Sequence, residues 1–326
     1  EEVLFSRMVD PESQEYENIW RTLSKGLPDV PHLPLQLLVA WGKVPAHYNF
    51  WLDRAGYASG DRWWADCGDE VAALAAAGGD PANAYAQQWP DGALDTCDQP
   101  CISIDSATTR DVDDAFHIAA EGEGWAITLM LACPALFWNF GGPLDKLVLH
   151  RGTSIYLPEG DCHMLPEVLG TDAYSLLAGQ ARPALRVLVH VAADGTLGGC
   201  EISVVQSSLA ANLTYVDSQA VLDALAAGEA LPQNAAAPFA EQLRMGLAMA
   251  RQRQTARIAD GAVIMDRPDP VIHLEGEGAE VRVEVGQDYQ ASDAQMLVAE
   301  MMILASAAVA QWAAEHGVAM LHRVQD

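Results

Sequence analysis

The segment "ISIDSATTRDVDDAFHI" at 102–118 holds four carboxylates, Asp105, Asp111, Asp113 and Asp114, within ten residues. Apolar, β-like runs flank it, so local structure draws these acids together and away from water. Like charges held that closely repel, and the arrangement is costly unless a cation sits among them. Hard oxygen donors suit Mg²⁺ or Mn²⁺, and Mg²⁺ often uses one or two carboxylates with water and phosphate oxygens completing its shell. An EF-hand loop does not fit, because positions 3 and 5 from Asp105 are Ala107 and Thr109. The plain alternative is a solvated acidic turn in an acidic chain. Walker-type GxxxxGK, GxGxxG, GxSxG and HExxH patterns do not occur, which removes the enzyme classes built on them.

The rest of the composition bounds what such a site could serve. Half of the 326 residues are hydrophobic and 19% are charged, enough for a sizeable core and incompatible with global disorder. The length predicts about two domains. Against 45 acids there are 18 bases, a net charge of −27. Gripping nucleic acid by its phosphates takes Lys and Arg, so non-specific duplex or anionic-membrane binding is disfavoured. A carboxylate-based phosphodiesterase stays open if RNA enters a locally favourable channel or other basic elements assist. Six cysteines lie at 67, 97, 101, 133, 162 and 200; without zinc spacing they read as free thiols. No signal peptide follows Glu1 and Glu2. The longest apolar run, Leu297 to Ala310, contains Glu300 and is too short to span a bilayer. The expectation is a soluble, cytoplasmic protein without a membrane partner.

The elements that must position the acids can be read in outline. Residues 1–95 predict helices near 33–42, from Pro45 to about Gly56, and from about Cys67 to Gly78-Gly79. They form a helix-turn-helix or winged-helix unit, or a plain helical lid. "QQWPDGALDTCDQP" is the expected linker. From 101 short β-like runs take over, and "ALRVLVHVAADGTLGGCEISVVQSSL" predicts a hairpin turning at Asp194-Gly195. Helices at 217–227 and 238–258, strands at 271–274 and 280–285, and a helix from Ser292 to His316 follow. Antiparallel-looking hairpins with long helices predict an α+β fold.

At the acidic segment the chain resembles the ribonuclease II and ribonuclease R superfamily, the RNB catalytic domain. "SIDSATTRDVDDAF" is similar to its metal-binding signature. "HRGTSIYLPEGDCHMLPEVL", "YSLLAGQARPALRVLVHVAADGTL", "SSLAANLTYVDSQAVL" and "LVAEMMILASAAVA" follow in the family's order, covering roughly 96–326. The resemblance implies an RNB-type mixed sheet with packed helices at 96–326, preceded by a small helical domain at 1–95. It implies that Asp105, Asp111, Asp113 and Asp114 hold Mg²⁺ (Mn²⁺ being the other candidate) and orient the attacking water. Tyr156 matches a tyrosine near the last base, Tyr215 an aromatic that stacks on the 3′-terminal base, and Glu300 an acid that grips the terminal nucleotide. The bland alternatives are core or sheet-edge tyrosines and the polar edge of an amphipathic helix. Arg151 and Arg182 also fall in matching segments, where a structural ion pair is an equal reading. Three positions depart from the family pattern: Met130, Cys133 in place of an acid, and Ser306.

The implied activity is a Mg²⁺-dependent 3′→5′ exoribonuclease acting as a monomer on single-stranded RNA and releasing nucleoside 5′-monophosphates. The rivals are an RNB-fold protein that binds RNA or a partner without cleaving, and a metal-dependent phosphodiesterase for DNA or short nucleotides. Cold-shock barrels are not evident in 1–95. After "VAMLHRVQD" the family continues with a Ser-Pro-Ile-Arg segment, whose arginine stabilises phosphate charge, and a basic RNA-binding barrel. These 326 residues are therefore expected to be part of a longer chain, holding metal but cleaving poorly alone.

Overall fold

The computed structural model describes residues 1–77, 94–264, 270–276, 281–287 and 292–321. The ends of the expected third helix and of the final strand, and residues 87–93 of the expected linker, lie outside the described residues. The chain forms two compact units, one of Glu1–Gly68, Gly141–Pro166 and Asp269–Asp288, the other of Asp69–Phe140, Glu167–Pro268 and Tyr289–Asp326.

The first unit opens with helices α1 (Glu2–Val9), α2 (Glu17–Leu23), α3 (Leu33–Ala40) and α4 (Phe50–Arg54). The sequence reading missed α1 and α2. Both are short and rest on tertiary packing more than on local pattern: Leu4 and Met8 of α1 close a core with Leu38 and Phe50, and from α2 Trp20 packs against it. The expected break after α3 is present, with Gly42 at φ +70°, a conformation glycine adopts without strain.

The second unit takes up α5 (Gly68–Ala77) from its second residue and is built on seven strands: β1 (Asp95–Cys97), β2 (Ile102–Asp105), β3 (Asp114–Glu121), β4 (Gly124–Ala132), β5 (Ala181–Val191), β6 (Leu197–Ser208) and β7 (Ala211–Thr214). Helix α6 (Pro143–Arg151), between β4 and β5 in the chain, belongs to the first unit. The sheet order is β1-β6-β5-β4-β3-β2-β7. The central hairpins are antiparallel as expected, but β1 pairs parallel with β6, and β2 parallel with β7. In a flat sheet β6 and β7 would stand five strand spacings apart, roughly 24 Å. Only Leu209 and Ala210 join them, a reach of about 11 Å. The sheet therefore curls until its two ends approach one another.

One sheet face carries Phe116, Ile118, Ile127, Leu129, Val187 and Val189. It is covered by α7 (Tyr215–Ala227), α8 (Ala240–Ala259) and α9 (Asp293–Glu315). The opposite face carries a smaller core of Cys97, Cys101, Ala115, Met130, Ala184 and Val205. Alternate residues on β3 and β4 serve the two cores, the period-2 pattern of a strand buried on both sides. Helices α8 and α9 approach closely at Gly246, where an added Cβ would lie 3.0 Å from a Leu297 methyl. By length and composition α9 could cross a membrane; here it is a core helix, with Leu297, Met301, Leu304 and Ala308 fully buried. It starts on a capping box between Ser292 and Gln295. The strands expected near 271–285 form a hairpin in the first unit, β8 (Pro270–Glu275) with β9 (Arg282–Gln287).

Candidate active site

The four aspartates occupy the end of β2, the loop after it and the start of β3. Asp105 is the last residue of β2 and Asp114 the first of β3. The intervening loop is tied down from below. Val112 donates its amide to Ser175 Oγ at 2.8 Å, and Leu176 donates to the Val112 carbonyl at 2.8 Å. Ala132 donates to the Asp113 carbonyl at 2.7 Å, and Arg110 pairs with Glu167. The backbone of the acidic loop is thereby fixed before any ligand arrives.

Electrostatically the cluster is crowded. Burial, then Asp105 and Asp113, push the Asp114 carboxyl up to about 6. Burial, Asp111 and Asp105 push Asp113 to about 6 as well. Asp113 is exposed by surface area, so water screens it, and the half-buried Asp114 carries the larger consequence. Asp105 is raised by burial and by Asp111, against a lowering hydrogen bond from Ser103. Its Oδ2 is buried without a hydrogen-bond partner.

These features fit a hard cation: mutually destabilised carboxylates and an orphaned oxygen on one short stretch of backbone. The arrangement is not a closed protein cage. Among the described residues no three His, Cys, Asp or Glu side chains converge as a ready metal-binding group. The two observations agree for Mg²⁺, which takes few protein oxygens and fills its octahedron with water and phosphate.

Tyr215 joins the cluster through strand register. Asp105 lies opposite Thr214 on the parallel β2–β7 ladder. Thr214 caps α7 by accepting the Asp217 amide at 3.1 Å, and Tyr215 is the first residue of that helix. The tyrosine is half-buried against the main core. Burial and the nearby Asp105 and Asp114 charges raise its hydroxyl pKa. Alongside, Asn212 donates to Ser103 Oγ at 3.1 Å and to the Leu176 carbonyl at 3.0 Å, and accepts from the Ala178 amide at 2.8 Å. The sequence reading missed Asn212 and Ser103; the residues beside the acidic motif gave no sign of a partner strand a hundred positions away.

The other expected residues lie on other parts of the chain. Tyr156 belongs to the first unit and is 64% exposed. Glu300 is 2% exposed on α9, and Arg257 takes both of its carboxylate oxygens. Arg151, 8% exposed, lies 4.0 Å from the Tyr57 ring centroid and 4.5 Å from that of Trp63, and donates to the carbonyls of His163 and Ala58. Arg182 bonds Gln180 and pairs with Asp172 at 3.5 Å, a structural role. Met130 is fully buried in the smaller core, and Cys133 precedes a short 3₁₀ turn, its thiol pushed up by burial.

The family model described as the RNB domain matches residues 94–326. The chain belongs to the RNB family. An Exoribonuclease 2 from Pectobacterium atrosepticum is 36% identical over 183 residues, covering 55% of this chain and 28% of that relative. The chain thus spans well under half the length of this curated RNB relative. Among solved structures, a Dss1 exoribonuclease active-site mutant from Candida glabrata shares the fold over 97% of this chain and 41% of its own, at a TM-score of 0.72 and 17% identity. Mycoplasma genitalium RNase R, in complex with ribose-methylated single-stranded RNA, matches 72% of this chain and 35% of its own, with a TM-score of 0.61 and 19% identity. Both confirm the mixed α+β architecture of the RNB fold.

Proposed function

We propose that the protein containing this chain is a 3′→5′ exoribonuclease that hydrolyses single-stranded RNA to nucleoside 5′-monophosphates. The supporting observation is the β2–β7 register, which sets Tyr215 beside Asp105 and Asp114. An aromatic platform next to a carboxylate cluster is what removal of a terminal nucleotide requires. The names of the relatives, exoribonuclease and ribonuclease R, support the same reading.

Asp105, Asp111, Asp113 and Asp114 would hold Mg²⁺. Bound there, the ion would neutralise the scissile phosphate and lower the pKa of an attacking water. Asp113 and Asp114 are pushed up to about 6 by burial and by their acidic neighbours, an imbalance that a bound cation would relieve. Tyr215 supplies a stacking face, worth about 1–3 kcal/mol per base without reading sequence. Tyr156 and Glu300 are assigned to the terminal nucleotides, and Glu300 can act there only if its bond to Arg257 opens.

The deciding experiment compares RNA labelled at either end, incubated with Mg²⁺ and the protein. A 3′ label should leave at once as a mononucleotide, while a 5′ label should pass through a ladder of shorter products. Internal cuts, or equal action on DNA, would overturn this reading. Binding without cleavage would instead favour a non-hydrolytic RNA-binding role.

A further inference from the structure

The smaller core contains a feature that the nuclease reading does not use. Cys97 ends β1 and Cys101 immediately precedes β2, at the seam where the two ends of the curled sheet approach. Both cysteines are free and both pack in the same core cluster, and the Cys97 thiol donates to Gln99 Oε1 at 3.8 Å. A tight turn between them, with the Cys101 amide donating to the Gln99 carbonyl at 2.8 Å, keeps the pair together.

The two thiols differ in access. Cys101 is fully buried, whereas Cys97 lines a recess of about 350 Å³ with Asp98, Gln99, Gln206 and Ser207. Two buried polar atoms in that lining lack a partner, Ser207 Oγ and Gln206 Oε1, and Ser207 is 2% exposed. Buried, unsatisfied polar atoms lining a recess are donors and acceptors held ready for a polar ligand.

We propose that Cys97 and Cys101 form a thiol–disulfide switch: Cys97 exchanges with a low-molecular-weight disulfide seated in the recess, and Cys101 resolves the product. The Cys97 thiolate attacks one sulfur of the small disulfide, forming a mixed disulfide and expelling one small thiolate. The Cys101 thiol then attacks the Cys97 sulfur, closes the Cys97–Cys101 bond and releases the second small thiol. Two protein thiols are oxidised and one small disulfide is reduced to two thiols.

The local charges support this division of labour. The neighbouring Cys101 thiol, with smaller help from the Gln99 backbone and the Arg186 charge, holds Cys97 down to about 6 against burial and Asp98. Cys101 is raised by the neighbouring Cys97 thiol and by burial. The more readily ionised sulfur is therefore the one that faces the recess.

The test treats the full chain with glutathione disulfide and maps cysteines by peptide mass spectrometry. Wild type should lose two hydrogens across Cys97 and Cys101, reversibly with dithiothreitol. Cys101→Ser, and Cys101→Ala as a second variant, should stop with one glutathionyl group on Cys97. Cys97→Ser should leave Cys101 unmodified. Wild type that keeps both residues as thiols, or glutathione that reaches Cys101 in Cys97→Ser, would overturn the proposal. The readout involves neither RNA nor metal, so it stands apart from the nuclease reading.

Discussion

Asp105 and Thr214 face each other across a parallel ladder although 109 residues separate them in the chain. The next residue, Tyr215, starts a helix, so the strand end that carries the Asp105 carboxylate also fixes where the tyrosine begins. A slip of one residue in this ladder would turn Tyr215 to the opposite face. Ser103 and Asn212, partners in the same ladder and joined by a hydrogen bond, lock the register from inside.

Replacing Asp114 by Asn should stabilise the metal-free protein at pH 7 while abolishing hydrolysis. A carboxyl raised from 3.8 to about 6 prefers the folded state when protonated. The native state then binds more protons than the unfolded chain between those values, so stability falls as pH rises through that window. Removing the charge should return about 1–2 kcal/mol after allowance for partial exposure. Thermal melts in chelator read the gain, and an RNA cleavage assay reads the loss; an unstabilised, fully active variant would contradict the site.

Divalent metal should do by binding what that substitution does by deletion. Mg²⁺ or Mn²⁺ should raise the melting temperature more at pH 7 than at pH 5, because protons on Asp113 and Asp114 compete with the ion. Calorimetry in buffers of different ionisation enthalpy should show proton release near pH 6. Asp105→Asn should remove the metal-induced shift.

Tyr215→Phe should keep the affinity for single-stranded RNA, and Tyr215→Ala should weaken it about thirtyfold, near the middle of the range for one stacked base. The ring is also half-buried against the core, so Tyr215→Ala will lower the melting point by a few degrees. Loss of stability without loss of affinity would make the ring a packing residue. Fluorescence anisotropy with a short labelled RNA measures the affinity.

Glu300→Ala should destabilise the fold by about 2–4 kcal/mol, because it leaves the Arg257 guanidinium next to the core without its partner. Combining Arg257→Met with Glu300→Leu should recover most of that loss. A role confined to gripping nucleotide predicts instead a normal melting curve and weaker binding at the 3′ end.

The legible parts of the sequence were those with local signals. Alternation around Asp194-Gly195 marked the β5–β6 hairpin, where Gly195 sits at φ +85° with an added Cβ only 2.8 Å from the Gln252 carbonyl oxygen. Caps and apolar runs marked α7 to α9 to within a few residues. The four aspartates stood out because so many like charges in one segment need a reason. What could not be read was long-range: β1 and β7 are three and four residues long and owe their existence to parallel partners. The Arg257–Glu300 pair was equally hidden, since a buried glutamate on an apolar helix looks the same in sequence whether it meets a ligand or an arginine.

The closure of the curled sheet also bears on the order in which this molecule assembles. The β3–β4 and β5–β6 hairpins are local and can form early, whereas β2–β7 and β1–β6 join segments about a hundred residues apart and must bear the loop-closure cost first. Asp105 and Tyr215 meet only across one of those late ladders. A half-folded chain can therefore hold the acidic loop without the tyrosine beside it, and the two meet only when the last seam shuts.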